Sequence, residues 1–301
     1  MGRHIHSILI EAAKRAGNVQ KEILHRGSFN LQDKYVTGTS ADFVTKADIE
    51  SERVLREYFR EVRPEHNVLG EELGGEYNGN GKVVLIDPLD GTRHFKEGRP
   101  RFGPIIGVYE QGRNIAGIEY NVLQDVAYVA TEETGFKRIG SREDSWPPGV
   151  IYLGGDLAGC PDFLSDLGKI IRSHFPDNPI IARSGEHDVL HQARVCEGRW
   201  AVYFHAGQGR HDIAAAPIFG ELTGTKVTDH NGKPYNVLDA EVEVAKYKTK
   251  EHAAINSSTV LVAREPYFEK MLEALQPYKS RLDRRQDPGR RDSLKLPTLK
   301  I

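Results

Sequence analysis

The segment 86–92, Ile-Asp-Pro-Leu-Asp-Gly-Thr, places two carboxylic acids three residues apart, directly after a run of apolar residues. Pro88 fixes its own φ and Gly91 accepts turn conformations that other residues avoid, so the backbone can bend until Asp87 and Asp90 face one point. Clustered carboxylate oxygens bind hard divalent cations, and Mg²⁺ is favoured where water and phosphate complete its shell. The segment therefore predicts a magnesium site at the end of a buried strand.

The residues around the second acid also suit an anion beside the cation. The carbonyl oxygen of Leu89 would add another oxygen ligand for the metal. A short helix beginning near Gly91 would turn its free N–H groups toward an anion, with Thr92 next to both. An ordinary acidic turn with a helix cap has the same composition, so this segment by itself leaves both interpretations open.

Two other segments carry acids where predicted elements begin or end. Glu71 and Glu72 follow a short apolar run, and Asp212 follows His211 at the start of a segment of small residues. A glutamate pair is usually solvated, and an aspartate at a helix start is usually an N-cap. If the acids converge, however, bound cations would neutralise a phosphomonoester dianion and lower the pKa of water. The two further acidic segments therefore favour the metal-site interpretation of 86–92 over an ordinary acidic turn.

Helices and strands predicted from the apolar spacing surround these acids. The spacing predicts helices over 5–24 and 47–62, and short apolar runs predict strands at 67–70 and 82–86. Three strand-like segments between residues 103 and 131 are typical of an antiparallel meander. In the second half, strands are predicted at 150–153, 180–183 and 200–205, and helices at 161–175, 186–197 and 212–223. This alternation predicts a mixed α/β (α+β) fold built from layers.

A stretch rich in Gly, Pro and charge at 140–149 indicates a boundary between two halves. The N-terminal α+β half, 1–145, would carry most of the acids, and the C-terminal α/β half, 146–277, would contribute Asp212. Residues 278–301 are basic and typical of a solvated, partly disordered tail. The alternative interpretation of this tail is a docking arm that packs on a partner subunit.

Composition excludes several classes of protein. The 301 residues carry a formal net charge of −2, with 28% charged and 39% hydrophobic residues, so the chain lacks the positive field that draws proteins to nucleic acid or acidic lipid. Its two cysteines, Cys160 and Cys196, cannot form a disulfide framework or a four-cysteine zinc site, which fits a reducing cytoplasm. No stretch approaches the roughly 20 apolar residues of a membrane span. We therefore expect a cytoplasmic protein with no nucleic acid or membrane partner.

Taken in chain order, these segments resemble the inositol monophosphatase family of Mg²⁺-dependent, lithium-sensitive phosphomonoesterases. The resemblance covers roughly residues 5–275. Its motifs are the leading helix, Val-Thr-Lys-Ala-Asp at 44–48, Gly-Glu-Glu at 70–72, the segment 86–92, the meander, Trp-Ala-Val-Tyr-Phe at 200–204, His-Asp-Ile-Ala-Ala at 211–215, Gly-Glu-Leu-Thr-Gly at 220–224 and Asn-Gly-Lys-Pro at 231–234. It implies a layered αβαβα sandwich of the sugar-phosphatase type and a homodimer.

The resemblance also implies a set of metal ligands. Glu71, Asp87 and the carbonyl of Leu89 would hold one magnesium ion, and Asp87, Asp90 and Asp212 a second. Glu71 would also reach a weaker third ion, so two or three ions are expected in each site. The family hydrolyses small phosphomonoesters directly, by in-line attack of metal-bound water.

Catalytic and substrate-binding residues follow from the same resemblance. Asp48 and Thr92 match the positions that orient and polarise the attacking water, with Glu71 as the third catalytic residue. The phosphate would rest on the backbone of Gly91 and Thr92. The implied substrate-binding set is Asp90, Gly91, Thr92, His205 and Asp212.

Departures from the family pattern cluster where the leaving group would bind. His211 stands where the family usually has Trp, His205 stands where inositol-specific members have Glu, and 184–188 reads Ser-Gly-Glu-His-Asp in place of a small-residue run. His187, His205 and His211 would suit a more anionic leaving group, such as one with a second phosphate or a carboxylate. The resemblance as a whole implies a small phosphorylated polyol, sugar or amino alcohol as the substrate.

Several alternatives remain open from the sequence. Within the superfamily, the segment 86–92 followed by basic Arg93 also fits an adenosine 3′,5′-bisphosphate nucleotidase, and a fructose bisphosphatase or a histidinol phosphatase is a further alternative. From another class, the chain would be a non-catalytic regulatory protein on the same fold, acting through partners with its basic tail.

Overall fold

The computed structural model describes the chain in nine segments. These are residues 4–27, 32–37, 40–75, 81–142, 146–155, 162–183, 188–235, 237–238 and 258–286. The predicted boundary beside residue 145, the candidate His187, Cys160 and residues 287–301 of the basic tail lie outside or at the edge of these segments.

The first sheet has six strands in the order β3-β4-β5-β6-β7-β8. Its strands are β3 (Asn67–Gly70), β4 (Lys82–Asp90), β5 (Gly103–Glu110), β6 (Arg113–Asn121), β7 (Val126–Thr131) and β8 (Gly135–Ile139). The pair β3/β4 is parallel and every later pair is antiparallel, so the predicted meander is confirmed and continues through one further strand. Two earlier strands, β1 (Gln32–Thr37) and β2 (Ser40–Val44), form a separate antiparallel hairpin.

The second sheet has five strands in the order β10-β9-β11-β13-β12. Its strands are β9 (Ile151–Gly155), β10 (Ile180–Arg183), β11 (Val202–Gln208), β12 (Lys226–Thr228) and β13 (Ser258–Ala263). The first three strands of this order are mutually parallel, whereas β13 runs antiparallel to both of its neighbours. The last strand in the sequence therefore lies inside the sheet.

Helices cover the sheets in three layers. They are α1 (Ile5–Arg26), α2 (Lys46–Val62), α3 (Thr92–Lys96), α4 (Phe163–His174), α5 (His191–Cys196), α6 (Ala216–Thr223), α7 (Tyr267–Leu275) and α8 (Lys279–Gln286). One apolar core joins α1 and α2 to the first sheet, a second joins both sheets around α5 and α6, and a third joins the second sheet to α4, α7 and α8. The predicted αβαβα sandwich is confirmed.

The two leading helices follow directly from their residues. The apolar face of α1 packs on the first sheet, with Ile8, Leu9, Ala12, Ala13 and Ala16 fully buried. Helix α1 ends at Gly27, whose φ of 64° is the left-handed C-cap conformation. Thr45 caps α2 by accepting a 3.0 Å hydrogen bond from the backbone N–H of Ala47. Among the described residues, no helix combines the length and the apolar character that a membrane crossing requires.

The prediction of one continuous helix over residues 212–223 is wrong. The segment expected as a single helix over 212–223 is a short 3-10 turn, His211–Ile213, followed by the separate helix α6. Pro217 lies in the first turn of α6, where its missing N–H costs no hydrogen bond. The break frees Asp212 from a regular helix and leaves its carboxylate beside β4.

The prediction of a tail beginning at residue 278 is also wrong in part. Residues Lys279–Gln286 form α8, and Leu282 on this helix is fully buried in the third core. His230 connects the helix to the second sheet, because its Nε2 lies 2.9 Å from Asp283 Oδ1 and its Nδ1 lies 2.7 Å from Thr259 Oγ1. A single leucine among eight mostly polar residues is too weak a pattern to predict this packing from sequence.

Candidate metal centre and active site

Strand β4 bends at its end, between Asp87 and Asp90. The pairing with β5 shifts register between Asp87 and Asp90, and Asp87 Oδ1 accepts a 2.9 Å hydrogen bond from the backbone N–H of Leu89. Gln20 on α1 donates a 2.7 Å hydrogen bond to the carbonyl of Pro88, which fixes the bend from the other side. Gln20 is a polar residue on the buried face of α1, and that position is a signal that sequence reasoning passed over.

Gly91 closes the bend in a conformation that other residues avoid. Its φ is 80°, and a Cβ atom at this position would lie 2.5 Å from the carbonyl oxygen of Arg101. Both observations require glycine. The chain then enters α3, so Thr92 follows the bend immediately.

Three acids from distant segments converge at the end of β4. Glu71, Asp87 and Asp212 each offer a carboxylate oxygen, and these oxygens all lie within 4.8 Å of one another. Glu71 is held by its backbone N–H, which donates a 3.0 Å hydrogen bond to the carbonyl of Ile86. The Asp212 carboxylate accepts a 3.1 Å hydrogen bond from the N–H of Gly209. Hard oxygen donors at this spacing are suited to a divalent cation.

Asp90 is buried nearby but does not belong to this group of three. It is 7% exposed, and burial raises its pKa well above the usual value, with a further rise from the charge of Asp212. The charges of Asp188, Glu119 and Glu71 act in the same direction. So many acids within electrostatic range repel one another strongly in a poorly solvated region, and a bound cation would relieve this repulsion.

Asp48 and Thr92 come together across 44 residues of chain. The hydroxyl of Thr92 donates to Asp48 Oδ1 and to the carbonyl of Leu89, at 3.2 Å in each case. The other carboxylate oxygen of Asp48 accepts the N–H of Thr45 at 2.8 Å and its hydroxyl at 2.5 Å. Asp48 is thus both part of the α2 cap and fixed in direction toward Thr92.

Glu52 is a supporting residue that sequence reasoning missed. Its fully buried carboxylate accepts the backbone N–H of Glu72 at 2.7 Å and that of Leu73 at 3.2 Å. Burial raises the pKa of Glu52, and the charge of Arg56, which contacts it at 2.8 Å, opposes that rise. Glu52 lies one helical turn after Asp48 on α2. This spacing of four residues places both side chains on the same face of the helix and could have indicated from sequence that both face the site.

Gly70 leaves the space that Glu52 occupies. A Cβ atom at position 70 would lie 1.8 Å from Glu52 Oε1, so the residue before Glu71 has no room for a side chain. The carboxylate of Glu52 therefore reaches the turn that follows β3 and holds it in place.

His205 lies within the second sheet. It is 3% exposed on β11, and a Cβ atom at Gly154 on the adjacent strand β9 would lie 2.3 Å from its Cδ2. Tyr203, two residues earlier on the same face, is close enough to Asp90 and Asp212 for their charges to add to the rise in its pKa that burial causes. His211 is also buried, in the 3-10 turn that carries Asp212.

A buried charged pair lies beside this acidic centre. Asp188 and Arg194 are 4% and 2% exposed, and Asp188 Oδ1 lies 3.0 Å from Arg194 Nη1. Burial opposes ionisation of Asp188, but the charges of Arg194 and His191 outweigh it and lower its pKa to about 2. Glu119 on β6 lies close by with its pKa raised well above the usual value by burial. Sequence reasoning assigned no role to Arg194 or Glu119.

The fold and the site together define a class of protein. It is a layered α/β protein in which acids from β4, from the turn after β3 and from the 3-10 turn before α6 converge on one oxygen-rich centre. Such a centre can bind a divalent cation, and Thr92 and Asp48 beside it can orient a polar ligand.

Comparison with known proteins shows which family this chain resembles within the class. Residues 2–143 match the model of the inositol monophosphatase family. The Nus factor SuhB of Pasteurella multocida is 29% identical over 234 residues, which cover 75% of this chain and 85% of that protein. The inositol-1-monophosphatase of Caulobacter vibrioides is 28% identical over 214 residues, which cover 67% of this chain and 81% of that protein. The chain is thus similar to members of the inositol monophosphatase family over most of its length, and its residues 2–143 match the family model.

Solved structures with the same fold include two with phosphatase names. The IMPase of Thermotoga maritima matches with a TM-score of 0.68 at 22% identity, covering 91% of this chain and 97% of its own. An IMPase/NADP phosphatase complexed with Mg²⁺ and phosphate matches with a TM-score of 0.68 at 18% identity, covering 90% and 94%. At these identities, the likenesses show the fold.

Proposed function

We propose that this protein is a Mg²⁺-dependent phosphomonoesterase that hydrolyses a small phosphorylated polyol, sugar or amino alcohol with metal-activated water. The observation that carries the proposal is the convergence of Glu71, Asp87 and Asp212 within 4.8 Å. These residues are separated by up to 141 positions in the chain, and mutual repulsion opposes their approach unless a cation binds between them.

The donor set fits magnesium. Carboxylate oxygens are its preferred protein ligands, and no soft sulfur or imidazole ligand belongs to the described group of three. Glu71, Asp87 and Asp212 would hold the ion or ions, with Asp90 and the Leu89 carbonyl as further ligands. When bound, Mg²⁺ would neutralise the phosphate dianion and lower the pKa of water. A solved relative in fold, the IMPase/NADP phosphatase, is complexed with Mg²⁺ and phosphate, which supports the choice of ion.

Thr92 and Asp48 would orient the attacking water. Since the Thr92 hydroxyl donates its one hydrogen toward Asp48 Oδ1 and the Leu89 carbonyl, its oxygen lone pairs remain to accept a hydrogen bond from water. The Asp48 carboxylate makes the Thr92 oxygen a stronger acceptor. The backbone of Gly91 and Thr92 would support the phosphate. Glu71 is the remaining member of the proposed catalytic set, and Asp90 and Asp212 complete the phosphate-binding set.

Phosphate release from a panel of phosphomonoesters tests this function. The panel contains inositol 1-phosphate, fructose 1,6-bisphosphate, histidinol phosphate, adenosine 3′,5′-bisphosphate and glycerol 2-phosphate, each assayed with Mg²⁺ and again with a chelator. Asp87→Asn should lower turnover at least 100-fold because it removes a shared ligand. Asp177→Asn, at an exposed position on the loop before β10, is the matched control and should leave turnover unchanged. Indifference to every substrate, or turnover that survives Asp87→Asn, would contradict the proposal.

The same panel separates the alternatives within the superfamily. Preference for adenosine 3′,5′-bisphosphate would identify the nucleotidase, and preference for fructose 1,6-bisphosphate or histidinol phosphate would identify the corresponding phosphatase. His205, buried against Gly154, stays in the proposed substrate-binding set.

A second candidate function is a regulatory role without catalysis. The observation in its favour is that a relative covering 75% of this chain is named Nus factor SuhB. Complementation distinguishes the two: cells lacking the protein are supplied with wild type or with Asp87→Asn. Equal rescue by both would support regulation, whereas rescue by wild type alone would support catalysis. The homodimer, the cytoplasmic location, the absence of nucleic acid partners and the two-half domain division stay predictions.

A further inference from the structure

Two buried glutamines contact the turns that carry Asp87 and Asp212. The Nε2 atom of Gln20 on α1 donates a hydrogen bond to the carbonyl of Pro88 at 2.7 Å, across 68 residues of chain. The Nε2 atom of Gln192 on α5 donates to the carbonyl of Asp212 at 3.2 Å. The two glutamines are 0% and 2% exposed. Each of these two turns is therefore tied to a helix by one side-chain amide group.

Both glutamines occupy buried helix positions of the kind that apolar side chains usually fill. Gln20 lies on the buried face of α1 between Ala16 and Ile23, and Gln192 is followed on α5 by buried Ala193. The Oε1 atom of each glutamine is buried and has no hydrogen-bond partner among the described residues. A buried amide oxygen without a donor destabilises a fold, and an apolar side chain of the same length would avoid that penalty. Packing of the core therefore does not account for the two amides.

The two turns depart from regular secondary structure where the glutamines meet them. Pro88 lies in the register shift of β4, outside the residue pairs that β4 forms with β5. Its carbonyl accepts the hydrogen bond from Gln20, and the same Nε2 atom lies 3.3 Å from Ser51 Oγ on α2. Asp212 lies in a 3-10 turn of three residues, which is too short to be rigid by itself. In each case, a side chain from a longer helix supplies a contact that the turn does not make locally.

The local hydrogen bonds orient each carboxylate within its own turn. Asp87 Oδ1 accepts the N–H of Leu89 at 2.9 Å, and Asp212 Oδ2 accepts that of Gly209 at 3.1 Å. Both bonds span at most three residues, so they move with the turn if the turn shifts. Without a cation, the like charges of the two acids repel each other. Gln20 and Gln192 oppose the separation of the turns, because they tie them to α1 and α5.

We propose that Gln20 and Gln192 are positioning residues, which hold Asp87 and Asp212 at metal-binding distance before the ion arrives. The inference rests on the proposed function, because it takes the acidic centre to be a magnesium site. A centre already in its bound geometry loses less conformational freedom when the ion binds, so its affinity is higher. Neither amide takes part in the attack on the phosphate. Loss of either amide should therefore weaken metal binding more than it lowers turnover at saturating Mg²⁺.

Metal titration of glutamine variants tests the proposal. Gln20→Met and Gln192→Met keep the length of the side chain and remove the amide donor. We expect the dissociation constant for Mn²⁺, measured by calorimetry, to rise about tenfold in each variant. The Mg²⁺ concentration for half-maximal turnover should rise by the same factor, while kcat at saturating Mg²⁺ stays within about threefold of the wild type. Dissociation constants equal to that of the wild type in both variants would overturn the inference.

Two controls separate positioning from general stability. Gln276→Met removes an exposed amide at the end of α7, where Nε2 donates to the carbonyl of Leu272 at 3.3 Å. Ile171→Val removes a methyl group from the third core and should lower the midpoint of thermal unfolding by about 1–4 °C. Both controls should bind Mn²⁺ like the wild type. If Ile171→Val weakens binding as much as the glutamine variants do, the effect is general destabilisation and the inference fails. Either glutamine variant carries the test if the other does not fold.

Hydrogen exchange of the metal-free protein separates this inference from the proposed function. In Gln20→Met, peptides that cover 86–92 should exchange faster, and in Gln192→Met those that cover 208–214, each without a change in the other segment. Unchanged exchange in both segments would overturn the inference, even if an ester is hydrolysed. Faster exchange and weaker Mn²⁺ binding in a protein that hydrolyses no ester of the panel would support the inference and contradict the proposed function alone.

Discussion

The hydroxyl of Thr92 lies 3.2 Å from Asp48 Oδ1, which joins the start of α3 to the start of α2. Asp48 is oriented from its other side by Thr45, so one carboxylate caps a helix and also holds a hydroxyl group in a fixed direction. This hydroxyl lies at the bend that also positions Asp87, and the geometry of the proposed site depends on it.

Removing the Thr92 hydroxyl should impair catalysis without unfolding the protein. For Thr92→Val, we expect kcat to fall by about 100-fold, because the water would lose the hydrogen-bond acceptor that orients it. Thr92→Ser keeps the hydroxyl and should stay within a few-fold of the wild type. Steady-state kinetics at saturating Mg²⁺ measure both variants, and equal kcat values for Val and Ser would refute the role of the hydroxyl.

Glu52 should control metal affinity from outside the ligand set. In Glu52→Ala, the N–H groups of Glu72 and Leu73 lose their acceptor, so the turn carrying Glu71 becomes free to move. We expect the affinity for Mg²⁺ or Mn²⁺ to fall about 10- to 100-fold in calorimetric titrations. Glu57→Ala, at an exposed position on the same helix, is the control. If both variants bind the metal like the wild type, Glu52 does not position Glu71.

Gly107 should be needed to bring Asp212 to the centre. A Cβ atom at this position on β5 would lie 2.0 Å from the carbonyl oxygen of Ala214, two residues after Asp212. Gly107→Ala should lower the free energy of unfolding by about 1–3 kcal/mol and weaken metal binding. Gly168→Ala on α4, where a Cβ atom meets nothing within 4 Å, should instead be neutral or stabilising by up to about 1 kcal/mol. Urea denaturation and metal titration measure both effects, and an unaffected Gly107→Ala would exclude this close contact.

The ionised carboxylate of Asp188 should stabilise the folded protein, and this contribution should be lost at low pH. Its pKa is about 2 in the folded protein against an ordinary value of 3.8, so the folded state favours the ionised carboxylate. The contribution is present in full above pH 3.8 and is lost as the pH falls through 2. The difference in unfolding free energy between wild type and Asp188→Asn should therefore shrink by about 2 kcal/mol between pH 5 and pH 2. A difference that does not vary with pH would show that Asp188 is not stabilised as a carboxylate.

Much of the fold was predictable because its signals are local. The spacing of apolar residues predicts helices α1 and α2, because each helix packs one face on a sheet. The same signal predicts strands β4 to β7, because their side chains are buried on one or both faces of the sheet. Strand β13 and helix α8 carried weaker signals, and their places depend on contacts with distant segments. Strand β13 lies between β11 and β12 although it follows both in sequence, and no local pattern contains that order.

The sequence suggested which acids could form the candidate site, and the family resemblance implied two ligand groups, one of which contains Asp90; the group of three in the structure differs from both. Glu71, Asp87 and Asp212 meet, whereas Asp90 is buried beside them outside the group of three. The register shift in β4 and the break before α6 determine which acids meet. Each changes the direction of an acidic side chain, and the spacing of residues in the sequence does not specify that change.

The sequence alone determined the residue types at the strand ends, the alternation of helices and strands, and the family to which they are similar. Only the tertiary structure decided that Glu52 supports the Glu71 turn and that Gln20 and Gln192 donate hydrogen bonds to the turns of Asp87 and Asp212. The physical reason is that composition and period act over a few residues. Contacts between residues a hundred positions apart depend instead on how the layers pack, and packing is a property of the whole chain.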